Sequence, residues 1–141
     1  MAIINWNNTL EMGITEVDQQ HKKLVDLTNE LADKMRTGQG NDVLNKILDE
    51  LVSYTDYHFA SEEKLMAKHS FKLMNEHVTE HNDFKEKVIE VQQNIKTSKM
   101  SYSPQVLNFL SRWLRDHIKI SDKKFSEFYH SENKKLEVEA V

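Results

Sequence analysis

Seven side chains able to ligate a metal recur at short spacings in this chain: His21, then His58 and Glu62 in "HFASE", His77 and His81 in "HVTEH", and His117 and Asp122 in "HIKISD". Partners four apart lie on one face of an α-helix, where both can reach a common ion or two neighbouring ions. Imidazole-rich sites suit zinc, copper, iron or nickel, and so many mixed nitrogen and oxygen donors disfavour one tetrahedral zinc. The chain has no cysteine, which removes disulfides, thiol catalysis, iron–sulfur clusters and thiolate zinc sites together. A pair of iron ions is the natural fit. The carboxylate-rich di-iron signature, Glu-x-x-His on two helices, is missing from the apolar seams. The histidine-rich set therefore points away from ferroxidase and oxygenase chemistry.

One pair is awkward. On a regular helix Asp122 would point roughly 140° away from His117. Yet Asp122, Phe125 and Tyr129 resume a three-four alternation in a new register, so one extra residue lies between two helical phases. A π-type turn or a helix break near Ser121 would absorb it. The break is the expectation, because Ser121 could cap the helix that follows.

These residues need elements to hold them. Glycine and proline are scarce and act as punctuation: Gly13 precedes the first periodic run, Gly38 and Gly40 follow it, and Pro104 opens the last. Four helices are predicted, roughly over 15–37, 41–68, 71–97 and 104–120. Each carries a seam with steps of four and three, such as Val17, His21, Leu24, Thr28, Leu31 and Met35. Short connectors and such seams predict an all-α, antiparallel up-down-up-down four-helix bundle, with an N-terminal arm and a short C-terminal helical segment. The seam histidines fall near the start, end, start and end of successive helices, which gathers them at one end of the bundle.

A single seam histidine is usually a core residue bonded to a backbone carbonyl. Five of them with a carboxylate, and no seam lysine or arginine to answer them, would leave buried polar groups unpaired. A metal resolves this. His69 and His130 lie outside the seams and read as solvated.

One domain is expected over residues 1–141: an arm at 1–13, a bundle core at about 15–130 and a frayed tail at about 131–141. Nineteen basic against 23 acidic residues, for a net charge of −4 without a basic block, offer no footprint for nucleic acid or an anionic membrane. The start "MAIINWNNTLEMGI" lacks the pattern of a signal peptide, and no apolar run is long enough to span a bilayer. A cytoplasmic, soluble protein is expected, and any protein partner is unknown from the sequence.

Taken together, "GITEVDQQHKKL", "YHFASEEKLM", "HVTEHNDF" and "FLSRWLRDHIKISD" resemble the hemerythrins, specifically the bacterial single-domain kind. All seven ligand positions of that family are filled. The resemblance implies two non-haem iron ions per chain, one held by His77, His81 and His117 and the other by His21 and His58. Glu62 and Asp122 would bridge them together with an oxo or hydroxo ion. One coordination position then stays open on the His21/His58 iron, where dioxygen would bind reversibly, for storage, delivery or scavenging. Leu24, Phe59, Trp113 and Ile118 would line a dry oxygen pocket around it. The implied role is a binding protein and not an enzyme. The alternatives are oxidase, peroxidase or nitric-oxide reductase activity at the same site, or oxygen or redox sensing through a partner. Many relatives carry Tyr-Pro between the second and third helices where this chain has Phe71 and Lys72, so that connector departs from the family's pattern.

Overall fold

The computed structural model describes residues 3–38, 41–98 and 104–139. Gly40, the first two residues of the arm and the last two of the tail lie outside them. Among the described residues five α-helices follow a short 3-10 turn at Asn8–Leu10: α1 (Thr15–Arg36), α2 (Asn41–Lys68), α3 (Met74–Ser98), α4 (Pro104–Asp116) and α5 (Lys123–Glu139). A π-helical segment, His117–Asp122, joins α4 to α5, so these three pieces form one long fourth rod of an antiparallel four-helix bundle.

The seams face inward as their periodicity requires. Leu31, Met35, Leu44, Leu48, Leu51, Val88, Val91, Leu107 and Leu110 are all buried and fill the half of the bundle nearer the α1–α2 connection. At the other end the same seams bury His21, His58, Glu62, His77, His81, His117 and Asp122. Apolar area removed from water stabilises the first half at about 25 cal/mol per Å². The second half buries apolar side chains as well, Phe59, Met66, Ile118 and Phe125 among them, but its inward seam positions are polar.

The connector between α2 and α3 differs from expectation. The third helix was predicted from residue 71 but begins at Met74, because residues 69–73 form a turn. Ser70 takes a left-handed conformation, φ 53°, while the Phe71 amide donates to the Met66 carbonyl at 3.0 Å and the Ser70 amide to Ala67 at 3.2 Å. This is the helix-ending pattern that usually uses glycine, with an apolar residue next in line. Phe71 supplies that residue, packing its ring edge-on against Phe125 at 5.1 Å.

The arm is tied down. The amides of Ile3 and Ile4 both donate to Asn29 Oδ1, at 3.0 and 2.9 Å, and Asn29 Nδ2 donates back to the Ile4 carbonyl at 2.9 Å. Asp18 accepts from the Met12 and Gly13 amides at 2.7 and 3.1 Å, which brings a negative charge to the start of α1. Gly13 is required there: its φ is +72°, and an added Cβ would lie 3.0 Å from His130 Nε2.

One further expectation is corrected. His130 is at the surface but not simply solvated, since its Nε2 donates to the Met12 carbonyl at 2.9 Å, beside the Ser126 hydroxyl that donates to the same oxygen at 2.6 Å. The last described residues belong to α5, which runs to Glu139. No helix among the described residues is long and apolar enough to cross a membrane.

Candidate metal centre

The fourth rod decides how the site closes. A π turn holds one more residue than an α turn. Asp122 therefore takes the place that a residue four beyond His117 would have on a regular helix. It is 2% exposed while Ile120 is 57% exposed, and its Oδ1 lies 3.2 Å from His117 Nε2. The expected break near Ser121 does not occur. The π segment keeps backbone groups paired through the buried turn, with the Lys123 amide donating to the Ile118 carbonyl. Ser121 does not cap a helix: its hydroxyl contacts both oxygens of Glu80, at 2.8 and 2.9 Å.

Inside, the Nε2 atoms converge on two carboxylates. His77 Nε2 lies 2.8 Å from Glu62 Oε1 and 2.7 Å from Asp122 Oδ1. His81 Nε2 is 3.2 Å from Glu62 Oε1 and 3.1 Å from His117 Nε2. His58 Nε2 is 3.4 Å from Glu62 Oε2, and His21 Nε2 is 2.9 Å from Asp122 Oδ2. The donor atoms form two overlapping groups, each within 4.8 Å: Glu62, His77, His81, His117 and Asp122 in one, and His21, His58, Glu62 and Asp122 in the other. Glu62 and Asp122 belong to both.

The protonation of these groups follows from their crowding. Burial alone would lower the pKa of His21 and His77, but the close Asp122 and Glu62 carboxylates raise both to about 9. His117 is likewise opposed by burial and raised, to about 10, chiefly by the Asp122 charge. For His58 burial wins, and it is held down at about 4. Burial would raise the two carboxylates, yet histidine neighbours hold Glu62 and Asp122 well below the usual carboxylate range.

Polar partners do not satisfy this cluster. Both ring nitrogens of His21, Glu62 Oε2, His117 Nδ1 and Asp122 Oδ2 are buried without a hydrogen bond. The facing Nε2 atoms of His81 and His117, 3.1 Å apart, pair only with one donating and the other accepting. Nitrogen and oxygen donors aimed at common points in a buried interior are what a cation requires once it displaces their protons. The donor set of imidazoles and carboxylates without thiolate suits iron.

Aromatic rings wall the site. Phe59 lies flat on His81, with centroids 3.7 Å apart and planes at 3°, and Trp113 lies flat on His117 at 4.5 Å and 11°. Phe84 stacks on Trp113 in turn, at 4.1 Å. Both stacked rings thus cover the His81 and His117 side more closely than the His21 and His58 side. Leu24 and Ile118 are buried within one turn of His21 and His117. His69 is apart from the cluster, edge-on to Tyr129 at 5.0 Å. A groove of about 600 Å³ opens beside His117, lined in part by Glu80, Arg112, Trp113 and Ser121.

Sequence reasoning missed the outer ring of partners. His58 Nδ1 donates to Gln20 Oε1 at 2.7 Å, His81 Nδ1 donates to Glu63 Oε2 at 2.8 Å, and His117 Nδ1 lies 3.7 Å from Glu80 Oε1. Donation from Nδ1 leaves the Nε2 lone pair pointing inward. Each partner is the chain neighbour of a site residue and reaches across to the next helix: Gln20 beside His21, Glu63 beside Glu62, Glu80 beside His81. That adjacency, together with polar residues flanking a seam, was the available signal.

Comparison with known proteins agrees with the geometry. The profile described as Hemerythrin HHE cation binding domain matches residues 12–129. A bacteriohemerythrin of Stenotrophomonas maltophilia (strain R551-3) is 31% identical over 127 residues, covering 90% of this chain and 82% of the relative. A hemerythrin-like protein of Naegleria gruberi is 31% identical over 121 residues, covering 86% and 89%. A wild-type hemerythrin crystal structure superposes with a TM-score of 0.81 at 28% identity, covering 89% of this chain and 97% of that one. The chain belongs to the hemerythrin family.

Proposed function

We propose that this chain binds dioxygen reversibly at a pair of iron ions, and that it serves as a binding protein and not as an enzyme. His77, His81 and His117 would hold one ion, His21 and His58 the other, and Glu62 and Asp122 both. The observation that carries the reading is the overlap of two buried donor groups that share those two carboxylates. Iron held this way supplies reversible electron exchange with dioxygen. The chain's own residues do the rest. Gln20 and Glu63 accept the outer ring protons of His58 and His81, which fixes their tautomers and aims their Nε2 atoms. Phe59, Trp113, Leu24 and Ile118 keep bulk water from the site, which favours release of the bound gas over loss of a reduced product.

The test is optical. Iron-loaded protein exposed to air should gain a visible charge-transfer band that disappears under argon and returns through repeated cycles. Steady consumption of oxygen with accumulating peroxide would instead mean turnover and would overturn the binding role.

A further inference from the structure

The outer partners of the site histidines differ in charge between its two halves. On the His21/His58 side, His58 Nδ1 meets the neutral amide oxygen of Gln20 at 2.7 Å. Gln20 is oriented for this role, because its amide nitrogen points to Ser61 Oγ at 3.3 Å and Glu16 Oε1 at 3.5 Å. His21 Nδ1 has no hydrogen-bond partner, although the residue is fully buried. On the other side, His81 Nδ1 meets the Glu63 carboxylate at 2.8 Å, and His117 Nδ1 has the Glu80 carboxylate 3.7 Å away.

A carboxylate that accepts a ring N–H makes the opposite nitrogen a stronger donor, and an amide does so only weakly. A stronger donor raises metal affinity and favours the higher metal charge. The two carboxylates are unequal. Glu63 is 26% exposed and at hydrogen-bond distance, whereas Glu80 is 44% exposed, too long for a hydrogen bond, and faces the solvent groove.

We infer that Glu63, assisted by Glu80, is a positioning residue that makes the His77/His81/His117 position the tighter and more easily oxidised of the two, leaving the Gln20-backed position weaker. The inference rests on the two-metal reading of the site. It assigns the asymmetry to the outer ring as well as to the number of histidines. Ser121 holds Glu80 in place, which couples this ring to the π segment.

The full-length, metal-free protein titrated with Co²⁺ under argon and followed by visible absorption tests it. The parent should take up two ions in separable steps. Glu63→Gln should weaken the first step by about 10- to 100-fold while moving the second far less. Glu80→Gln should weaken the first step by a smaller factor, and Gln20→Ala should act on the second. In the iron-loaded protein Glu63→Gln should also raise the midpoint potential, which a purely structural role would not do. Unchanged melting of the metal-free Glu63→Gln variant should accompany these shifts. Equal weakening of both steps, or no change in either step or in the potential, overturns the inference. Uptake of fewer than two ions by the parent would instead overturn the two-metal reading.

Discussion

The two ends of the bundle use the same seams in opposite ways. Near the α1–α2 connection the inward positions are aliphatic, with Leu31, Leu44, Leu48 and Leu51 at 1% exposure or less. Near the α2–α3 connection those positions hold five imidazoles and two carboxylates, equally buried and incompletely paired. The aliphatic positions are a reason to fold; the unpaired polar atoms of the others cost free energy until something binds them. Stability and ligand binding are therefore separated by depth along common helices, and each can be changed without the other.

The largest effect is expected from the polar end. His77 Nε2 touches Glu62 and Asp122 together, so His77→Ala removes a donor and strands both carboxylates. Metal affinity should fall by more than about 100-fold, beyond the loss typical of an outer partner. Metal analysis after gel filtration reads this directly, and two ions per chain retained in the variant would break the comparison.

At the aliphatic end, Leu48→Ala should cost about 2–5 kcal/mol, the usual price of a cavity in a packed core. Denaturant unfolding should show that loss with and without metal, while metal content stays at the parent value. A variant that lost its metal while folded would mean the ends are coupled.

Acidity sharpens the contrast. In the metal-free protein His21 and His77 lie at about 9 and His117 at about 10, all above the ordinary 6.5, so folding takes up protons. Their stabilisation is complete below about pH 6.5 and is lost as pH rises through about 9 to 10. His58, depressed to about 4, works the other way, its contribution being lost as pH falls from 6.5 towards 4. Glu62 and Asp122, also depressed, contribute above the ordinary carboxylate range and lose that contribution only in strong acid. Metal-free protein should thus melt at a lower temperature at about pH 9.5 than at about pH 6.5. Metal competes with protons for the same atoms, so the loaded protein should not share that decline. Melting curves at the two pH values, with chelator and with metal, decide it; a metal-free protein that gains stability towards alkaline pH would contradict the pairing described here.

The smallest effect belongs to the link between the π segment and α3. Ser121→Ala removes the hydroxyl that bonds both oxygens of Glu80, in a partly exposed setting, and should cost about 1 kcal/mol. Chemical denaturation of the metal-free form would measure it, with metal still bound by the untreated variant.

Much of this was legible beforehand. The bundle follows from four periodic segments, and the convergence of His21, His58, Glu62, His77, His81 and His117 follows from their places in those segments, since a helix fixes the direction of a side chain within a few residues. Asp122 was legible as an inward residue because Phe125 and Tyr129 continue its register. The turn at residues 71–73 was not, because Ser70 adopts a backbone conformation usually left to glycine.

What the chain alone determined, then, was the helical periodicity, the shared depth of the donors and the one-residue excess between His117 and Asp122. Tertiary structure decided how that excess is absorbed and which partners stand behind the histidines. A π turn and a break both absorb one residue locally, and only burial of the fourth rod against its neighbours makes unpaired backbone costly enough to favour the turn. Likewise Gln20, Glu63 and Glu80 each reach a histidine on a different helix. That choice depends on the lateral offset between packed helices, a quantity that no single helix encodes.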